Sequence, residues 1–202
     1  MNSSEYRQAI IHYITENVRP PEKFSHQPRL YSLAQQLAEN QPFDDDVLFA
    51  AVYLHDLGVF IGHRPEDVAQ LARWDALAYA LKQTPSLLQR FGFPPGKIPA
   101  VVEAIRTHLP SAQPTTFEGT LMRDADILEQ LGAVAILRTV CKVGRDTRFI
   151  RFGDALRVLQ RNADELPAML QLAASRRLAQ PRVSALRAFL EAAQSEANGV
   201  GW

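Results

Sequence analysis

Apolar residues recur at helical spacing along most of the chain, and short polar, Pro- or Gly-bearing segments separate the runs. Ile10, Ile11, Ile14 and Val18 predict a first helix, stopped by Pro20-Pro21. A second begins near Ser25-His26 and carries Leu30, Leu33, Ala34 and Leu37 on its apolar side. The segment from Gln41 to Asp46 reads as a turn whose aspartates cap a third helix. That helix is apolar from Val47 to Leu54, as a buried core element is, and it ends at His55-Asp56-Leu57-Gly58 with the glycine as C-terminal cap. After a loop from Val59 to Pro65, Glu66-Asp67 open a helix through Val68, Leu71, Trp74, Leu77 and Leu81. Ile98 to His108 form the next, with Val101, Val102 and Ile105 inward and Leu109-Pro110 beyond its end. A helix from about Phe117 to Leu131 is broken or pinched at Gly132 before Ala133 to Val143. Two or three further helices fill the remainder, with Leu156, Leu159, Leu166, Leu170, Leu186, Phe189 and Leu190 at helical spacing. Few alternating β-branched runs exist, so the expected fold class is all-α, a helical bundle with C-terminal helices packed on it.

The 202 residues suit one domain of generous size. It reads as a helical domain over 1–150 and a helical extension over 151–202, where the composition turns to Arg, Gln, Ala and Leu. Apolar residues make up 47%, enough for a sizeable core and against disorder. Lys+Arg and Asp+Glu balance at 22 each, so no overall basic field drives binding to nucleic acid or membranes. The longest apolar run is too short for a bilayer, and the polar start from Met1 to Arg7 lacks the plan of a signal peptide. One cysteine, Cys141, excludes an internal disulfide; beside Val140 and Leu137 it reads as a packed thiol in a reducing, cytoplasmic setting.

Chemistry enters where the third helix ends. His55 and Asp56 put an imidazole and a carboxylate at the edge of a core, which is costly unless they are paired, hydrogen-bonded or bound to a metal. Alone, the pair is as readily a core His–Asp hydrogen bond as a functional site. His26 starts the preceding helix, and antiparallel neighbours with a short connection bring those two ends together. A third piece is Asp124-Ala125-Asp126-Ile127-Leu128. Its two aspartates cannot share a helix face, and the apolar flank of Asp126 marks it as the more buried. Two histidines and two aspartates make a nitrogen and oxygen set without sulfur. It suits one divalent ion such as manganese, iron, nickel, cobalt, magnesium or zinc. Four protein ligands on an octahedral ion leave positions for water or a substrate oxygen, as a hydrolase requires.

This order, H…HD…D on helices, resembles the HD superfamily of metal-dependent phosphohydrolases. The matching segments are Ser25-His26-Gln27-Pro28-Arg29-Leu30, Ala51 to Gly58 around His55-Asp56, and Asp124 to Leu128. More narrowly, the chain is similar to bacterial single-domain HD proteins of about this size. It shares with them the step Ile105-Arg106-Thr107-His108 and the run from Asp124 through Leu131-Gly132-Ala133 to Arg138. It also echoes their later helices at Phe152-Gly153-Asp154 and Ala174-Ser175-Arg176-Arg177, so the likeness spans about residues 20 to 195. The resemblance implies an all-helical fold and a divalent metal held by His26, His55, Asp56 and Asp126. It also implies hydrolysis of phosphoester or phosphoanhydride bonds, commonly in nucleotides. Several members place a Glu or Asp a few residues after the HD pair as general acid or base, whereas Leu57 to His63 contains no carboxylate.

The remaining candidates follow from chemistry and place. Asp56 and Asp124 are candidates for catalytic work, Asp124 by orienting a ligand or competing with Asp126. His63, in a Gly/Pro-bounded loop, is a candidate proton donor, substrate contact or second-metal ligand, or else an exposed histidine. His108 lines the pocket or caps its helix. Arg29, Arg64, Arg138 and Lys142 offer cations for a phosphate, with Arg138 equally able to pair with Asp124. The run Arg145, Arg148, Arg151, Arg157 reads as a solvated face or an interface, not a nucleic-acid surface. The expected function is hydrolysis of a nucleotide or other small phosphate compound, with homo-oligomerisation left open. The alternatives are a metal-dependent hydratase or lyase of the cyanamide-hydratase-like type, and a non-catalytic metal- or nucleotide-binding regulator.

Overall fold

The computed structural model describes residues 3–19, 21–60, 64–65, 67–146 and 148–200. These residues are all-α, with no β-strand among them. The chain divides into two compact units, Met1–Arg123 and Asp124–Trp202, whereas the composition changes near residue 150.

In the first unit, helices α1 (Ser3–Asn17), α2 (His26–Ala38) and α3 (Asp45–Leu54) follow the expected pattern. Tyr6, Ile10 and Ile14 form the buried stripe of α1, and Leu30, Leu33, Ala34 and Leu37 that of α2. Asp44 caps α3, its carboxylate accepting from the N–H groups of Asp46 and Val47 at 3.1 and 3.3 Å. Every residue of α3 from Val47 to Leu54 is buried, and α1, α2 and α7 (Ile98–Arg106) pack around it. Each fully buried Leu or Val contributes about 1.5–3 kcal/mol, against about 1 kcal/mol for a cap, so burial dominates the stability of α3.

Beyond Asp56 the structure departs from the expected loop and single long helix. Leu57–Phe60 form a one-turn helix, α4, so Gly58 is not a C-terminal cap. Gly58 is needed for another reason: a Cβ there would lie 2.6 Å from the carbonyl oxygen of Ala76 and 2.7 Å from its Cα. The helix expected through Leu71, Trp74 and Leu77 is two pieces, α5 (Val68–Leu71) and α6 (Ala76–Arg90). The break is local capping chemistry. Asp75 is extended, and its carboxylate accepts from the N–H of Ala78 at 2.8 Å, which starts a new helix. The second helix packs on α4 and α7.

Helix α8 (Phe117–Glu129) carries the chain from the first unit into the second. The second unit continues with α9 (Gly132–Val140), α10 (Phe152–Met169) and α11 (Ala173–Glu196), which pack on one another. Gly132 does break the helix: its φ is +80°, and its Cα faces Arg182, whose Cβ would be 3.0 Å from an added Cβ. Cys141 is exposed, not packed: Leu137, one turn before it and its expected apolar neighbour, is itself 67% exposed. No helix among the described residues is long and apolar enough to cross a membrane.

Candidate metal centre

His55 and Asp56 occupy the two-residue joint between α3 and α4, and His26 is the first residue of α2. The packing of α2 on α3 brings these ends together, as the short connection predicts. His26 Nε2 lies 3.9 Å and His55 Nε2 3.2 Å from the same oxygen of Asp56, Oδ2. One donor atom from each of the three residues falls within 4.8 Å of the others. Both histidines are buried, at 3% and 2% exposure, whereas the Asp56 side chain keeps 21%. The cluster therefore sits at the edge of the core with its carboxylate toward solvent.

The donor chemistry fits a divalent cation. His55 Nδ1 is 2.8 Å from the carbonyl oxygen of Val52. A carbonyl only accepts, so Nδ1 carries the proton, and in the neutral ring Nε2 keeps its lone pair. That lone pair faces a carboxylate oxygen, an arrangement that a proton or a metal ion between them stabilises. Burial works to raise the pKa of Asp56, but the imidazoles of His55, His26 and His108, when they carry a proton, hold it well below the usual carboxylate range, and a metal cation in the proton's place would act in the same direction. An ionised carboxylate and two imidazoles form a set for a hard or borderline divalent ion, with coordination positions left over.

His108 stands beside this set. Its ring meets that of His55 edge to face, centroids 5.1 Å apart, and it is 5% exposed. Its Nδ1 is 2.6 Å from the carbonyl oxygen of Ile105, repeating the lock seen in His55. The expected pocket-lining role for His108 is thus compatible with its place, although it does not share the three-residue cluster. Arg29 lies one turn along α2 from His26 and donates to Ser25 Oγ at 2.9 Å. Arg64 is half-buried, and His63 lies outside the described residues.

The other candidates belong to the second unit. Asp124 is fully buried and Asp126 half-buried, which reverses the expected order. The reason is that Asp124 caps α11. Its carboxylate accepts from the N–H groups of Gln171 and Leu172, at 2.9 and 2.8 Å, and from the hydroxyl of Ser175. Asp124 thus has a structural task that the spacing of the two aspartates did not reveal. Asp126 accepts from Gln130 Nε2 at 3.3 Å. Arg138 pairs with Glu129 at 3.1 Å, not with Asp124, because Glu129 lies at the end of α8 beside α9. Lys142 Nζ sits 5.3 Å above the ring of Phe149. A residue the sequence reading passed over is Trp74, whose indole Nε1 donates to the Gly58 carbonyl at 2.9 Å. Its one legible signal was an aromatic residue just ahead of a helix-capping aspartate.

Solved structures share this fold. The chain is similar in fold to Bacillus subtilis YpgQ in complex with ADP, with a TM-score of 0.73 at 20% identity over 99% of each chain. A HD-superfamily hydrolase of Bacillus thuringiensis matches with a TM-score of 0.70 at 20% identity, over 98% of this chain and 100% of that one. The Lin1889 protein of Listeria innocua matches with a TM-score of 0.70 at 19% identity over 100% of both chains. No curated protein sequence matches. The family model for the HD domain covers residues 24–131, more than half of the chain. Those residues take in the buried histidines His26 and His55, the carboxylate of Asp56 and the later Asp126, and by that match the chain belongs to the HD domain family.

Proposed function

We propose that this protein is a metal-dependent phosphohydrolase acting on a nucleotide or another small phosphate ester or anhydride. The observation that carries the reading is the convergence of His26, His55 and Asp56 on one point at the edge of the core. A divalent ion held there supplies Lewis acidity, making water a better nucleophile at neutral pH and drawing charge from phosphorus. Asp126 is proposed as a fourth ligand on the order of the sequence motif. His55 is already oriented by the Val52 carbonyl, and the ionised Asp56 supplies the negative charge that retains a cation. His108, locked through Nδ1 and packed against the ring of His55, is proposed to line the site beside the ligands.

Two further facts support the phosphate class. YpgQ, similar in fold, is described in complex with ADP, and the Bacillus thuringiensis protein is described as a hydrolase. Arg29, one turn from His26, is the proposed first cation for a phosphate, with Arg64, Arg138 and Lys142 as further proposals and His63 as a proposed proton donor. Asp124 is assigned no catalytic step, since its carboxylate serves the start of α11.

The test is to assay purified protein with Mn²⁺, Co²⁺, Ni²⁺ or Mg²⁺ on a phosphodiester, a phosphomonoester and a nucleotide panel. Metal-dependent release of phosphate or pyrophosphate that disappears in Asp56→Ala is the expected outcome. Tight metal binding without turnover of any panel member would exclude a phosphohydrolase in favour of a regulator or a lyase.

A further inference from the structure

Asp56 is followed by a helix too short to hold itself. α4 is a single turn, opened by the N–H of Val59 donating to the Asp56 carbonyl at 2.8 Å. One turn of helix in isolation is unstable, so the path of the chain after Asp56 depends on what α4 leans against. Two supports come from one short segment. Trp74 donates its indole N–H to the Gly58 carbonyl at 2.9 Å, and the backbone of Ala76 presses on Gly58 where a Cβ would have stood. The segment is itself anchored. Asp75, between the two, caps α6, and the ring of Tyr79 packs on that of Trp74 at 5.0 Å between centroids.

The two histidines have other supports. His26 opens α2, and His55 is tied by its backbone N–H to Ala51 and by its ring to Val52. The carboxylate, the most exposed of the three groups, stands directly before α4. We propose that Trp74 is a positioning residue for the metal centre: through Gly58 it fixes the backbone that presents Asp56, and so sets the affinity for a divalent ion. The inference rests on the metal reading of the His26, His55 and Asp56 cluster.

Trp74→Phe keeps an aromatic ring against Tyr79 and removes the N–H donor together with the second ring of the indole. Mn²⁺ is titrated by calorimetry into metal-free wild type and variant, well below the melting temperature of both, and the visible absorption of the Co²⁺ forms is compared. The expected result is a Kd raised about tenfold, the lower end of what losing an outer support costs a metal site, with shifted Co²⁺ bands. A variant that binds Mn²⁺ as tightly as wild type overturns the proposal and leaves the metal centre standing. A lower melting temperature with unchanged Kd overturns it too, and gives Trp74 a structural role only. Wild-type protein that binds no Mn²⁺ overturns the metal reading and the proposal with it. Should Trp74→Phe fail to fold, Tyr79→Leu loosens the indole without touching Gly58, and a Kd unchanged in that variant overturns the proposal equally.

Discussion

Asp46 shows how charge is used away from the metal centre. In the first turn of α3 it meets Arg7 at 2.7 Å and Lys97 at 2.9 Å. Burial works against its ionisation, but hydrogen bonds from Tyr6, Lys97 and Arg7 outweigh that, and its pKa falls below the ordinary carboxylate value. A depressed folded-state pKa means the carboxylate stabilises the fold above its unfolded pKa of about 4, and that this contribution fades as pH drops through that value toward the folded one. Asp46→Asn is therefore expected to lower the urea midpoint at pH 7 and to cost progressively less below about pH 4. Equal losses at pH 7 and pH 3 would contradict the assignment. Gly58→Ala makes a steric prediction: the added methyl meets Ala76 backbone, which cannot rotate away, so thermal stability falls by about 2 kcal/mol or more. Residues of this kind were unevenly legible. His26, His55 and Asp56 could be read because polar groups at the ends of apolar helices stand out. Trp74 could not, because its partner is a backbone carbonyl, and any sequence supplies one.

At the level of elements, the long apolar run of α3 identified the core helix without help from propensity. The division of α5 from α6 was missed because helical spacing continues through Trp74 and Leu77, and one capping aspartate decides the matter locally. Asp124 belongs here too. It reads like a catalytic acid beside Asp126, yet it joins α8 to the opening of α11 at a separation of 47 positions, a pairing no local pattern announces. Asp124→Ala removes the carboxylate that accepts from the N–H groups of Gln171 and Leu172, while the hydroxyl of Ser175 keeps the Leu172 carbonyl at 2.7 Å as an acceptor, at an expected cost of about 2–3 kcal/mol. Thermal unfolding measures it. If Asp124 is only a cap, the metal affinity of the variant stays within about threefold of wild type; complete loss of metal binding in a folded variant would return Asp124 to the site.

For the molecule as a whole, a cation that binds the folded state alone must raise its stability. At about 100 times Kd the gain is about 2.7 kcal/mol, visible as an upward shift in melting temperature that His26→Ala abolishes. The all-α class was legible throughout, since helical spacing fills the chain. The chain divides into its two compact units inside α8, where the hydrophobic pattern is continuous, and the change in composition near residue 150 comes after α9, which packs with α10 and α11.

The joint between α3 and α4 has a mechanical consequence. An ion shared by His26 and the His55-Asp56 pair would tie the beginning of one helix to the end of the next, and so act as a crosslink that a chelator can remove. Amide exchange at the start of α2 and across the joint should then quicken when the metal is stripped, while the middle of α3, sealed by its apolar neighbours, keeps its protection in both forms.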